Sequence, residues 1–462
     1  MKVLLVVYDN GSFLHRFPTG IAYIAAVLRK SGHSVSIYNQ DFQHSPNEHL
    51  TTYLDENEFD VVGIGVIAGY YQYQRLLSLS QAINRSKRRP FFLLGGHGPT
   101  PDPAYFMRKT EADAVVMGEG EETVVELMTA LENRLPLKDI QGLAWRDGSE
   151  IRTNPRRALV LDMASIPWPA YDLFPMHYYR LVRWPHMAST DFSLDVLSGR
   201  GCTFKCTFCY RMDTGFRPRP DEDTLNEVEY LQKTYGINYI SFSDELLMSS
   251  VQRTVEFCES IIRRGLVFKW FCNGRLNYAQ PDLLKLMRRA GCVFINYGIE
   301  AVDNTVLKNM HKALRVEQIV PGIRNTLAAD ISPGLNMLFG NIGDNRETLR
   351  KAVDFLIEHD DQAQMRTIRP VTPYPGSPLF DQAVSMGLIK DVADFYENKH
   401  LNSDLISVNF TELTDDEYYE ALTEANVRLV ENYYEKQKER SLKAAHDLYE
   451  KRDATFRGFR QS

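Results

Sequence analysis

Long hydrophobic runs are missing from this chain: no stretch approaches the roughly 20 consecutive apolar residues that a membrane-spanning helix needs. Excess positive charge is missing too. Lys and Arg total 53 against 60 Asp and Glu, a net charge of −7, so no basic field offers itself to nucleic acid. Cysteine is scarce, six in 462 residues, which excludes a disulfide-stapled scaffold. No internal repeat or low-complexity segment appears. The opening run Val3-Leu4-Leu5-Val6-Val7-Tyr8 is too short for a signal-peptide core and runs into Asp9. It reads as a first β-strand, and the expected location is cytoplasmic. What is present is ordinary for a globular protein: 44% hydrophobic and 24% charged residues, enough for a sizeable core. The length suggests about three domains.

Residues 1–135 alternate short apolar runs with amphipathic ones. Expected strands are Val3–Tyr8, Ser34–Tyr38, Val61–Val66, Phe91–Leu94 and Ala114–Met117. Apolar residues at three- and four-residue spacing predict helices between them, for example Ile21–Arg29 and Tyr70–Ile83. Continuous apolar strands separated by helices predict a doubly wound, Rossmann-like parallel sheet covered on both faces. Gly20, Gly95-Gly96-His97 and Gly118-Glu119-Gly120 follow strand ends, on the rim where such sheets take ligands. Residues 136–190 are rich in proline and read as a linker packed on the surface. From 191 to 385 a second alternation has expected strands at Asp195–Ser198, Tyr239–Ser243, Lys269–Cys272, Val293–Tyr297, Leu335–Phe339 and Met365–Arg369. Six βα units in series predict a partial (β/α)6 barrel of the TIM type, with its site on the carboxyl-end loops. Residues 386–462 read as a helical region; Thr414 and Glu417 have the spacing of a capping box.

Three of the six cysteines fall within eight positions, directly after the first strand of the second region. Gly201-Cys202-Thr203-Phe204-Lys205-Cys206-Thr207-Phe208-Cys209 has the spacing C-x3-C-x2-C. Three thiolates on one short loop can converge on a [4Fe-4S] cluster and leave one iron open. Arg200, Lys205 and Arg211 stand close enough in sequence to stabilise the thiolates. A structural zinc site would want a fourth ligand that this loop does not carry. Cys258, Cys272 and Cys292 are scattered and read as core residues.

This loop, after the first strand of a six-unit barrel, resembles the radical S-adenosylmethionine (SAM) superfamily. The resemblance continues along the barrel in Ser243-Asp244-Glu245, Gly298-Ile299-Glu300 and Pro373-Tyr374-Pro375-Gly376-Ser377-Pro378. Phe13-Leu14-His15-Arg16-Phe17-Pro18-Thr19-Gly20 and Gly118-Glu119-Gly120-Glu121 resemble the branch with an N-terminal cobalamin-binding-like domain. The resemblance implies Cys202, Cys206 and Cys209 as cluster ligands. It implies Phe208, Ser243, Asp244, Glu245 and Glu300 around SAM, with Arg275 and Lys312 as further SAM contacts. For cobalamin it implies Gly20, Gly95, Gly96, His97, Gly118, Glu119 and Gly120. A flavodoxin or ferredoxin would supply electrons. The implied reaction is methyl transfer to an unactivated carbon or phosphorus of a small-molecule or lipid-like substrate, one SAM giving the methyl group and a second the radical. Radical cyclisation, dehydration or ring rearrangement without methyl transfer is the alternative, and a non-catalytic cofactor-binding sensor the other. One departure stands out. Cobalamin domains that ligate cobalt through histidine use D-x-H-x-x-G after the first strand, whereas this chain reads Asp9-Asn10-Gly11-Ser12, with His15 too far along.

Overall fold

The computed structural model describes residues 1–12, 14–211, 214–452 and 454–455. Phe13, the first residue of the loop motif quoted above, lies outside them. The five expected N-terminal strands form as β1 (Lys2–Val7), β2 (Ser34–Asn39), β3 (Val61–Gly65), β4 (Phe91–Gly95) and β5 (Ala114–Val116). All pair in parallel, in the order β2-β1-β3-β4-β5. Their residues are apolar on both faces because helices cover both. The strand order reverses at β1 and β3, so the loops after these two strands splay apart and open a crevice at the carboxyl edge.

The sheet does not stop near residue 135. β6 (Leu143–Asp147) and β7 (Glu150–Thr153) add an antiparallel hairpin to the edge at β5, inside the stretch expected to be linker. Only Gly148 and Ser149 connect them, a two-residue turn whose signal was hidden between prolines. The later part of the connector is not a surface linker either. Tyr171, Phe174, Tyr178 and Tyr179 are buried in the largest apolar cluster. Phe17 from the N-terminal unit packs 5.2 Å from Tyr171, 5.1 Å from Phe174 and 5.5 Å from Tyr179. Proline removes regular hydrogen bonding but not burial, and here aromatic packing takes over.

The second region begins with β8 (Ser193–Val196) and an antiparallel pair, β9 (Gly199–Cys202) with β10 (Gly215–Pro218). It continues with β11 (Tyr239–Phe242), β12 (Lys269–Gly274), β13 (Cys292–Glu300), β14 (Ser332–Phe339) and β15 (Arg369–Pro370). β8 and β11–β15 form one all-parallel six-stranded sheet in sequential order, the curled half-barrel expected. The sixth strand is only two residues and starts where its prediction ended. Asn426, on the C-terminal helix Asp415–Tyr449, takes both backbone groups of Ile368 (2.8 and 3.0 Å), so the preceding residues cannot join the ladder. That helix opens on the expected capping box, Thr414 N–H donating to Glu417 at 2.8 Å. Cys258, Cys272 and Cys292 are fully buried core residues, as read from their spacing.

Candidate functional site

Cys202 closes β9, and Cys206 and Cys209 lie on the loop that leads toward β10. The hairpin was not legible in the sequence. Thr207 anchors the loop twice: its N–H donates to the Met310 carbonyl (2.9 Å) and its carbonyl accepts from Leu379 N–H (2.9 Å). Cys206 is buried, Cys202 half-buried and Cys209 exposed. Loss of hydration raises the Cys202 thiol, against the charges of Arg275 and Arg211. It pushes Cys209 up to about 11, helped by the other two cysteines and opposed by Arg211 and Lys312. Thiols held up in this way, as at Cys202 and Cys209, are what a bound cationic centre relieves. Among the described residues no three His, Cys, Asp or Glu side chains close on a single metal ion. A four-iron cube is bonded at its corners and holds its thiolates farther apart, so this donor set fits a cluster better than a lone ion.

Arg211 donates to the Phe204 carbonyl beside the thiols, whereas Lys205 is solvent-exposed. Arg200 does not face the thiols. It points the other way, to Glu119 (3.0 Å) and Glu121 (2.6 Å) of the N-terminal unit.

Across from the cysteines, β13 carries a bulge between Gly298 and Glu300, where its register with β14 shifts. Glu300 there adopts φ 71°, a left-handed conformation that costs a non-glycine residue roughly 1–3 kcal/mol and marks functional sites. The bulge turns the Glu300 carboxylate back over Gly298, where any Cβ would overlap it. Glu300 accepts from Lys312 Nζ at 2.9 Å, both side chains at or below a tenth exposed. Lys312 is itself held between two left-handed residues, His311 (φ 53°) and Ala313 (φ 50°). Its Nζ lies 5.7 Å from the ring of half-buried Phe208. Arg275, beyond β12, stacks 3.5 Å over Phe204 and donates to the carbonyls of Lys312 and Ala313. Its guanidinium therefore holds the cysteine loop and the lysine loop together.

The three residues after β11 divide. Asp244 is fully buried and accepts from Ser198 N–H (2.7 Å), Ser198 Oγ and Gly199 N–H (3.3 Å). Burial pushes its carboxyl up to about 7. It braces the start of the cysteine hairpin through Ser198 and Gly199. Ser243 is partly exposed toward the barrel mouth. Glu245 is exposed and accepts from Gly201 N–H at 2.8 Å, beside Cys202.

On the N-terminal rim the expected glycines also divide. Gly96, at φ 96°, brings the loop after β4 against Val66, whose carbonyl would sit 2.5 Å from a Cβ. His97 follows it, its ring 5.6 Å from Tyr210 of the cysteine loop, with its pKa lowered by lost hydration against the pull of Glu245. Gly20 is not on a loop but in the first turn of the helix Thr19–Lys30, with open space around it. Gly95 ends β4 in ordinary contact; Gly118 (φ 78°) and Gly120 lead into the helix Glu121–Asn133. Glu119 is engaged with protein. It accepts from Arg200 and from Arg217 of β10 (2.6 and 2.9 Å), at 11% exposure. Burial raises its pKa, but Arg217 and Arg200 together hold it below the ordinary glutamate value. Glu119 thus forms a clamp between the N-terminal rim and the cysteine hairpin. Arg217 was missed because nothing in its sequence surroundings pairs it with residue 119.

Glu119→Gln leaves two nearly buried arginines short of a charge, which typically costs about 3 kcal/mol or more. Denaturant unfolding of the apoprotein at pH 7 is expected to show that loss. A depressed folded pKa means the clamp contributes fully above pH 4.5 and fades as pH falls below it, so variant and parent should converge in acid. Equal stability at pH 7 would contradict the clamp.

One more residue was given no role in the sequence reading. Arg16, after β1, makes a two-point pair with buried Asp195 of β8 (2.8 and 3.1 Å) and stacks 5.0 Å over Trp184. It closes the open flank of the half-barrel. The segment 373–378 closes the other side, with Tyr210 filling the space a Gly376 side chain would take.

Residues 196–356 match the Radical SAM superfamily, and residues 14–128 match the B12 binding domain. The chain is 28% identical to an uncharacterized methyltransferase of Pyrococcus horikoshii over 84% of each chain. It is also 28% identical to the anaerobic magnesium-protoporphyrin IX monomethyl ester cyclase of Cereibacter sphaeroides, over 79% of this chain and 60% of that one. In fold it resembles the radical SAM methyltransferase TsrM of Kitasatospora setae, solved with cobalamin and a [4Fe-4S] cluster. The TM-score is 0.72 at 17% identity, covering 92% of this chain and 88% of that one.

Proposed function

Since the chain belongs to the radical SAM superfamily and carries an N-terminal B12-binding domain, its cofactors being a [4Fe-4S] cluster, SAM and cobalamin, we propose that it transfers a methyl group to an unactivated carbon or phosphorus of a small molecule. Bound together, these cofactors supply radical generation from SAM and carriage of a methyl group. The chain's own residues bind and orient. Cys202, Cys206 and Cys209 would hold the cluster. Glu300 would accept from the SAM ribose hydroxyls and Glu245 from its ammonium, at charge-assisted strength. Lys312 and Arg275 keep the Glu300 carboxylate and the cysteine loop in register. Gly96, His97 and Gly118 would line the cobalamin side. A small reducing protein of the flavodoxin or ferredoxin class would supply electrons.

The observation that carries this reading is the clamp of Arg200 and Arg217 on Glu119. It fixes the cysteine hairpin directly against the rim of the B12-type sheet, as a reaction shared between two cofactors requires. Radical cyclisation without methyl transfer is the second reading, favoured by the cyclase relative.

The loop after β1 bears on the choice. Asp9 is engaged by Gly11 N–H (2.7 Å), His44 (3.2 Å) and Arg75 (3.6 Å), and no histidine stands two residues beyond it. This loop would therefore offer no imidazole to a bound cobalamin, and the methyl-carrying chemistry would be the cofactor's own. Electron paramagnetic resonance of the cob(II)alamin form is therefore expected to lack nitrogen splitting. Splitting, or failure of the reconstituted protein to retain cobalamin, would move the reading to the cyclisation class.

A further inference from the structure

Residues along each barrel strand alternate between the helix side and the inside. Phe242, Cys272, Tyr297 and Met337 belong to the core under the helices. The opposite set lines the bowl. Its floor is aromatic: Tyr239, Phe271 and Phe294 pack together, with Trp184 against them. Above the floor the wall changes character. Asn273, Asn296 and Asn336, on three adjacent strands, remain partly exposed to the inside.

These amides form a single directed chain. Asn336 Nδ2 donates to Asn296 Oδ1 (3.0 Å), and Asn296 Nδ2 donates to Asn273 Oδ1 (3.1 Å). Asn273 Nδ2 then donates to the Asp244 backbone carbonyl (2.8 Å). A backbone carbonyl can only accept, so the sense of every link is fixed from that end. The head of the chain is Asn336, and among the described residues nothing donates to its Oδ1. Each link polarises the next, which makes this oxygen a strengthened acceptor. It stands level with Gly298, over which the Glu300 carboxylate is folded. A second observation points the same way. Ser241, on the inner face level with Phe271, is 0% exposed, and its Oγ has no hydrogen-bond partner among the described residues. Orphaned buried polar groups call for a missing partner. A hydrocarbon would leave the Asn336 oxygen without a donor.

We infer that the barrel takes a substrate whose inserted end carries hydroxyl, amino or amide N–H donors, read by Asn336 at the head of the Asn273–Asn296–Asn336 chain, and that it rejects a bare hydrocarbon skeleton. This narrows the lipid-like option. The inference rests on the radical SAM reading for the barrel being the substrate's place, but its test reads polarity alone, so the methyl-transfer reading can fail without it.

Crystals of the cofactor-loaded protein are soaked in glycerol or pressurised with xenon, a probe for apolar cavities. Glycerol is expected with a hydroxyl in hydrogen-bond distance of Asn336 Oδ1, and xenon is expected to be absent from the bowl. Asn336→Leu should lose the glycerol and admit xenon, with iron content unchanged. Xenon in the wild-type bowl, or neither probe there, would overturn the inference.

Discussion

Alanine at Cys202, Cys206 or Cys209 is expected to abolish formation of 5′-deoxyadenosine from SAM and to strip the protein of stable iron. The effect should be all-or-none, because the proposed cluster has only three protein ligands and the loop offers no substitute. Cys206 is buried and Thr207 is anchored on both sides, so the loop cannot shift another thiol into the gap. Alanine at Cys258, Cys272 or Cys292 should leave SAM cleavage intact at a cost in stability only, since all three sit in the core beneath the helices. Iron content and 5′-deoxyadenosine yield of the reconstituted variants check both halves. Surviving cleavage in Cys206→Ala would sink the ligand assignment.

Glu300→Gln is expected to weaken SAM binding by about 10- to 100-fold while the cluster still assembles. The size follows from losing a charge-assisted hydrogen bond, about 1.5–3 kcal/mol. Glutamine is the informative replacement. It keeps an acceptor for Lys312 at the same place, whereas alanine would leave the buried ammonium with no partner and mix unfolding into the result. Equilibrium dialysis of SAM against the reconstituted variant, with iron assayed in parallel, makes the measurement. Unchanged affinity would reduce Glu300 to a brace for the lysine loop.

Chain-local features were legible in the sequence. The parallel strands of both sheets follow from apolar runs separated by amphipathic ones, and the cysteine loop stands out by spacing alone. What escaped depends on partners far away in the chain. Glu119 gives no local sign of Arg200 and Arg217, which fold onto it from about 80 and 98 residues downstream. Asp244 lies beside two residues with open site positions, yet Ser198 and Gly199 claim it from 46 and 45 residues upstream. The asparagine wall has no periodicity to betray it, because its members come from three strands. The β9–β10 pair is too short for alternation to register, and the sixth strand was misplaced because Asn426 on a distant helix takes its backbone groups. Glu300 is the reverse case: its position at a strand end was visible, but the bulge and left-handed backbone that aim it were not.

The two halves of the chain are proposed to serve one reaction, and the balance of SAM-derived products tests that most directly. The cofactor-loaded protein is supplied under anaerobic conditions with reductant, methyl-labelled SAM and the small-molecule extract that supports turnover. S-adenosylhomocysteine and 5′-deoxyadenosine are expected in equal amounts, with the label in a new product. 5′-Deoxyadenosine accumulating alone, with no S-adenosylhomocysteine and no labelled product, would contradict methyl transfer.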